Sequence, residues 1–186
     1  MLRRILAALA VAFLALAVAG PSTAAAADVP GLRIGTVGYN AYGADVASNR
    51  NSEFVEVVAD DTAPAEGVNV AGLLVQDAWA RGRDKTTGCN TFTLKPGVLP
   101  VEDGQPGDVL PKGATLRVHM GPGAPAIDAG GVRHVYADMS TRCGYNGHIF
   151  NNGPGSNRWA DWDRAWITLD SNSESKPYNF TRGYVA

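Results

Sequence analysis

Short apolar runs that alternate residue by residue, each closed off by glycine, proline or asparagine, constrain this chain more than any other feature. The clearest is LPKGATLRVHMGPG, from Leu110 to Gly123. There Leu116, Val118 and Met120 alternate with Thr115, Arg117 and His119, the period of a strand with one buried face. Pro111 to Ala114 is the turn before it. A glycine loop that cradles phosphate must open a helix whose first amides face the anion, yet Gly121-Pro122-Gly123 runs on into APAIDAGG. The stretch is a strand between two turns.

The same pattern recurs, and no segment keeps a helical period. LRIGTV (Leu32 to Val37) and EFVEVV (Glu53 to Val58) are expected strands, joined by the polar loop YNAYGADVASNRN at one end of the sheets. VNVAGLLVQDA (Val68 to Ala78) reads as a third strand with Val70, Leu73 and Val75 toward the core, and NTFTL as a short fourth. The proline-rich KPGVLPVEDGQPGDVLPKG reads as a long loop. RHVYADM, GHIFNN and RAWITLD follow as strands, the last with Ala165, Ile167 and Leu169 in phase, and KPYNFTRGYVA packs a final strand through Tyr178, Phe180 and Tyr184. Seven to nine short strands in one domain predict an all-β, immunoglobulin-like Greek-key sandwich rather than a closed barrel.

The N-terminus adds a destination. Arg3 and Arg4 precede an apolar run from Ile5 to Ala19, and Ala25-Ala26-Ala27 offers the small side chains of a cleavage site. Residues 1–27 are therefore expected to be a signal peptide, with 28–186 a single exported domain. The apolar run is about fifteen residues, short of the ~20 that cross a bilayer. Without Arg3 and Arg4 the chain has 14 basic against 18 acidic residues, a balance that disfavours a polyanion binder. Cys89 and Cys143 are the only cysteines. In an oxidising compartment they are expected to pair, closing a loop of about 55 residues that stabilises the fold by roughly 4 kcal/mol on the chain-entropy account. A redox or nucleophilic cysteine is the rival reading, and no CxxC supports it.

Taken in order, five segments carry a family resemblance. RIGTVGYNAYGAD leads to the acidic, aromatic SEFVEV, then VNVAGLLVQDA, then NTFTL with the Pro-x-Gly turn of LPKGATLRVHMGPG, and finally HIFNN with DRAWITLD. From Leu32 to Asp170 the chain resembles the lamin-tail domain family. The resemblance implies an immunoglobulin-like fold and a non-catalytic role. Nuclear lamins use such domains to bind protein partners and chromatin, and secreted bacterial relatives accompany extracellular hydrolases or nucleases.

Several residue groups invite chemistry. His119, His134 and His148 are the only histidines, without the close pairs usual in zinc sites, so rings on strand faces beside loops are expected and no metal or cofactor. Asp60-Asp61 and Asp161, Asp163 and Asp170 lack calcium-loop spacing and suit turns. Ser140 lies near His134 and Asp138, but no GxSxG elbow is present, so no enzyme is expected. Arg81, Arg83 and Lys85 are interrupted by Asp84 and read as a solvated loop, and Asn179-Phe180-Thr181 fits a glycosylation acceptor. The best binding-surface candidate is Trp159, Trp162 and Trp166 with Arg158 and Arg164. The expected partner is an extracellular protein or a cell-envelope polymer, with a nucleic-acid-associated role as the alternative and a small extracellular hydrolase as the third reading.

Overall fold

The computed structural model describes residues 28–39, 46–77, 89–143, 150 and 163–178. The expected signal peptide, most of GHIFNN and the tail beyond Tyr178 lie outside them. Within the described residues the chain forms eleven strands and one 3-10 helix: β1 (Leu32–Gly38), the helix Ala47–Ser52, β2 (Phe54–Ala59), β3 (Val68–Asn69), β4 (Leu74–Asp77), β5 (Thr91–Thr93), β6 (Val109–Leu110), β7 (Thr115–His119), β8 (Ala126–Ile127), β9 (Arg133–Tyr136), β10 (Asp163–Leu169) and β11 (Asn172–Tyr178). Eight of these have three or more residues, within the expected seven to nine.

They make an all-β sandwich. A five-stranded sheet runs β1-β2-β7-β9-β8, a four-stranded sheet β11-β10-β4-β5, and β3 pairs with β6 as a separate two-stranded ribbon. The chain crosses between the main sheets three times, in the Greek-key manner. Inward residues from both sheets meet in one core, with Val55, Val57, Leu116 and Val118 from one and Val75, Ala165 and Ile167 from the other, all fully buried. The alternation that marked β7 therefore separates core from surface.

Two strands depart from the sequence pattern. Val68 to Ala78 is not one strand. Gly72 turns with φ of +85°, a region open to glycine, and splits it into β3 and β4 while Val70 and Leu73 stay buried through the turn. The last described strand already starts at Asn172, ahead of KPYNFTRGYVA, because Asp170 (φ +54°) and Ser171 close a tight hairpin that lays β11 along β10; Tyr178 ends it, and Phe180 and Tyr184 lie outside the described residues. The helix and β6 arise in stretches read as loop, and β8 in APAIDAGG, to which no strand was assigned.

Where the sheets meet, β11 side chains serve the backbone of β1. Glu174 Oε1 accepts the Ile34 amide at 2.9 Å, and Lys176 Nζ donates to the Gly35 carbonyl. Such bonds occupy an edge that would otherwise invite another strand. Cys89 and Cys143 form the expected disulfide, joining the entry of β5 to the segment after β9 and so linking the two sheets. No helix among the described residues is long and apolar enough to cross a membrane.

Candidate functional site on the outer sheet faces

The outer face of the five-stranded sheet carries two rows of planar side chains. Register places Glu56, Arg117 and His134 in one row and Phe54, His119 and Tyr136 in the next, across β2, β7 and β9. The Arg117 guanidinium donates to Glu56 Oε1 at 2.6 Å and 3.1 Å and lies 4.5 Å from the Phe54 ring centroid. Glu56 Oε2 accepts the Thr36 amide at 3.1 Å, where β1 shifts register between Ile34 and Val37. Burial pushes the Glu56 carboxyl up, but hydrogen bonds from Thr36 and Arg117 outweigh it and leave the pKa below its ordinary value. At the two ends of the array the backbone makes room. A Cβ on Gly38 would overlap the Phe54 ring, and one on Gly123 the Tyr136 ring.

The histidines form a chain. His119 Nδ1 lies 2.8 Å from the Asn51 carbonyl oxygen, His119 Nε2 lies 2.8 Å from His134 Nδ1, and His134 Nε2 lies 3.1 Å from Asp128 Oδ2. The two imidazoles are within 13° of parallel with centroids 5.1 Å apart. Face-to-face rings could not bring two nitrogens within 2.8 Å, so they meet edge to edge along a lone-pair direction. Asp128 Oδ1 accepts the amides of Gly130 and Val132, each at 2.9 Å. The His134 bond foremost, then these amides, hold the Asp128 carboxyl below its usual pKa. Burial lowers the pKa of His119, which is only 9% exposed; the Asn51 carbonyl opposes that shift, and His134 and Arg117 reinforce it.

This pairing was not legible in the sequence, which placed the rings on strand faces beside loops. His119 and His134 come together because β7 and β9 run parallel, matching Arg117 with His134 and His119 with Tyr136. The alternation Arg117-x-His119 and His134-x-Tyr136 was visible, but the register between those strands was not. His148 lies outside the described residues. No group of three or more histidine, cysteine or acidic residues suited to a metal occurs among the described residues.

The outer face of the four-stranded sheet holds the described part of the tryptophan and arginine group. Trp166 is out of phase with the buried Ala165 and Ile167, in a row with Thr91, Gln76 and Ser175. Exposed Arg164 lies on the same face, its Nε donating to Ser175 Oγ at 3.0 Å. Arg158, Trp159 and Trp162 lie outside the described residues, as do Arg81, Arg83, Lys85, Asp161 and Asn179.

Asp60, Asp138 and Ser140 serve local structure. Asp60 accepts from the amide and hydroxyl of Thr62. Asp138 pairs with Arg50 at 3.7 Å, Ser140 Oγ accepts the Arg142 amide, and His134 faces His119 and Asp128, so those three do not converge. Neither a family model, nor a curated protein, nor a solved structure matches this chain.

Proposed function

We propose that this protein is an exported, non-catalytic, lamin-tail-like binding module that engages an extracellular protein or a cell-envelope polymer through the outer face of its four-stranded sheet. The observation that carries this reading is the display of Trp166 and Arg164 on that face, away from the core. An aromatic beside an arginine on a sheet face is the usual anchor of a protein contact. The signal-type N-terminus and the disulfide support export. The order of the lamin-tail-like segments supports the family reading. The engagement of Glu56, Asp60, Asp128 and Asp138 with backbone amides, Thr62, Arg117, His134 and Arg50 supports a structural use of these carboxylates.

Retention of the purified protein on cell-wall polymer, secreted proteins and duplex DNA, at two salt concentrations, tests the reading. Salt-resistant retention on wall or protein, lost in W166A and R164A, is the expected result. Retention on DNA alone, lost at the higher salt through counterion uptake, would move the protein to a nucleic-acid-associated role.

A further inference from the structure

The two histidines form a hydrogen-bonded chain whose proton count neither ring sets alone. The chain begins on a carbonyl oxygen, Asn51, and ends on a carboxylate, Asp128, and both can only accept. Between them lie four ring nitrogens in three close contacts: Asn51 to His119, His119 to His134, and His134 to Asp128. Three hydrogen bonds need three hydrogens, and two neutral imidazoles carry two. Closing the chain requires one proton more than the neutral pair holds. With a fourth, both nitrogens at the central contact would carry hydrogens, 2.8 Å apart, and that contact would break. The outer two hydrogens are fixed by their acceptors, so the shared one sits between His119 Nε2 and His134 Nδ1.

We infer that His119 and His134 hold a single proton between their facing nitrogens and that this proton is a pH-operated latch, tying the helix Ala47–Ser52 to the β8–β9 turn across β7 and β9. With three ring hydrogens the cluster of two rings and the Asp128 carboxylate is neutral overall, which suits its half-buried position. The groups that face it are Phe54 and Glu56 of β2, Arg117 of β7, Tyr136 of β9, Asn51 of the helix and Asp128 of the turn. Glu56 and Arg117 neutralise each other, as do Arg50 and Asp138 at the helix end, so among the described residues Asp128 is the one charge bonded directly to the pair.

The sign of the pH response follows from linkage. In the unfolded chain both rings titrate independently near ~6.5. Above that value the unfolded rings lose their protons while the native pair keeps one, so stability falls as pH rises. Below it the unfolded rings take up two while the native pair holds one, so stability falls as pH falls. The pair's contribution peaks between the two steps, and its protons leave as a coupled unit.

Nitrogen-15 NMR of the histidine side chains in the intact wild-type protein, titrated across acid, neutral and alkaline pH, reads the proton count directly. Two steps separated by more than about one pH unit are expected, with His119 Nδ1 protonated on both sides of the upper step. D128N supplies the second arm. Its Oδ1 can keep the turn bonds while its Nδ2 donates to His134 Nε2, so two ring hydrogens now close the whole chain. The upper step should then move down by more than about one pH unit. A single common step for both rings in the wild-type protein, or an upper step indifferent to D128N in protein that remains folded, overturns the inference.

Discussion

The two outer faces of the sandwich obey the same alternation and reach different ends. On the five-stranded sheet, Glu56, Arg117, Phe54, His119, His134 and Tyr136 bond or stack on one another across three strands. On the four-stranded sheet, Thr91, Gln76, Trp166 and Ser175 form a row of mostly small polar groups around one large aromatic. Both faces bond their polar groups, on the second Gln76 to Thr91 at 3.3 Å and Arg164 to Ser175 at 3.0 Å, so what separates them is the ring-lined, charged network of the first and the single tryptophan beside an arginine on the second.

The largest effects should ignore the difference between the faces. Leu116 and Ile167 are fully buried, one beneath each face, and Leu116→Ala and Ile167→Ala should each cost about 2–5 kcal/mol in denaturant unfolding. A much smaller loss in one would show that the two sheets do not share a core. The paired change Cys89→Ser with Cys143→Ser should cost about 2–4 kcal/mol by the same measurement, since it frees the link between sheets.

A smaller effect separates by pH a carboxylate on the outer face of the five-stranded sheet from one at the edge where the two sheets meet. The Glu56 pKa is lowered in the fold, so its contribution is present above the unfolded carboxyl value and is lost as pH falls through the folded one. Burial, only partly offset by the Ile34 amide, raises the pKa of Glu174 on the four-stranded sheet, so its contribution is present at low pH and is lost as pH rises through the folded value. Thermal unfolding of Glu56→Gln should flatten the loss of stability as pH falls through the carboxyl range, while Glu174→Gln should remove a loss that sets in as pH rises from the ordinary carboxyl value through the raised one. Matching profiles would erase the contrast.

The smallest stability change belongs to Arg164, exposed on the face assigned to binding. Arg164→Ala should alter unfolding by less than about 0.5 kcal/mol yet weaken partner retention. A change in stability without one in retention would mark the residue as part of the sheet's own packing.

The strands β2, β7 and β10 were legible because each alternates over five or more residues, and the alternation itself records which side faces the core; β1 was legible through Leu32 and Ile34, before the shift that turns Val37 inward out of phase. Shorter elements were not. β3, β6 and β8 have two residues each, too few for a period, and exist because a partner strand supplies their bonds. The hairpin at Asp170 was hidden because Asp-Ser is a weak turn signal beside Asn-Gly. Of the candidate surface, the outward phase of Trp166 was readable from Ala165, Ile167 and Leu169.

By itself the sequence determined the strand character of the chain, the inward residues of its long strands, the single possible cysteine pair and the balance of charge, because each depends on local period, count or composition. Tertiary structure alone decided which strands became neighbours. The parallel register of β7 and β9 set His119 against His134, and the turn after β8 brought Asp128 to the far nitrogen. Period dictates where a side chain points, but only the pairing of distant strands dictates what it meets.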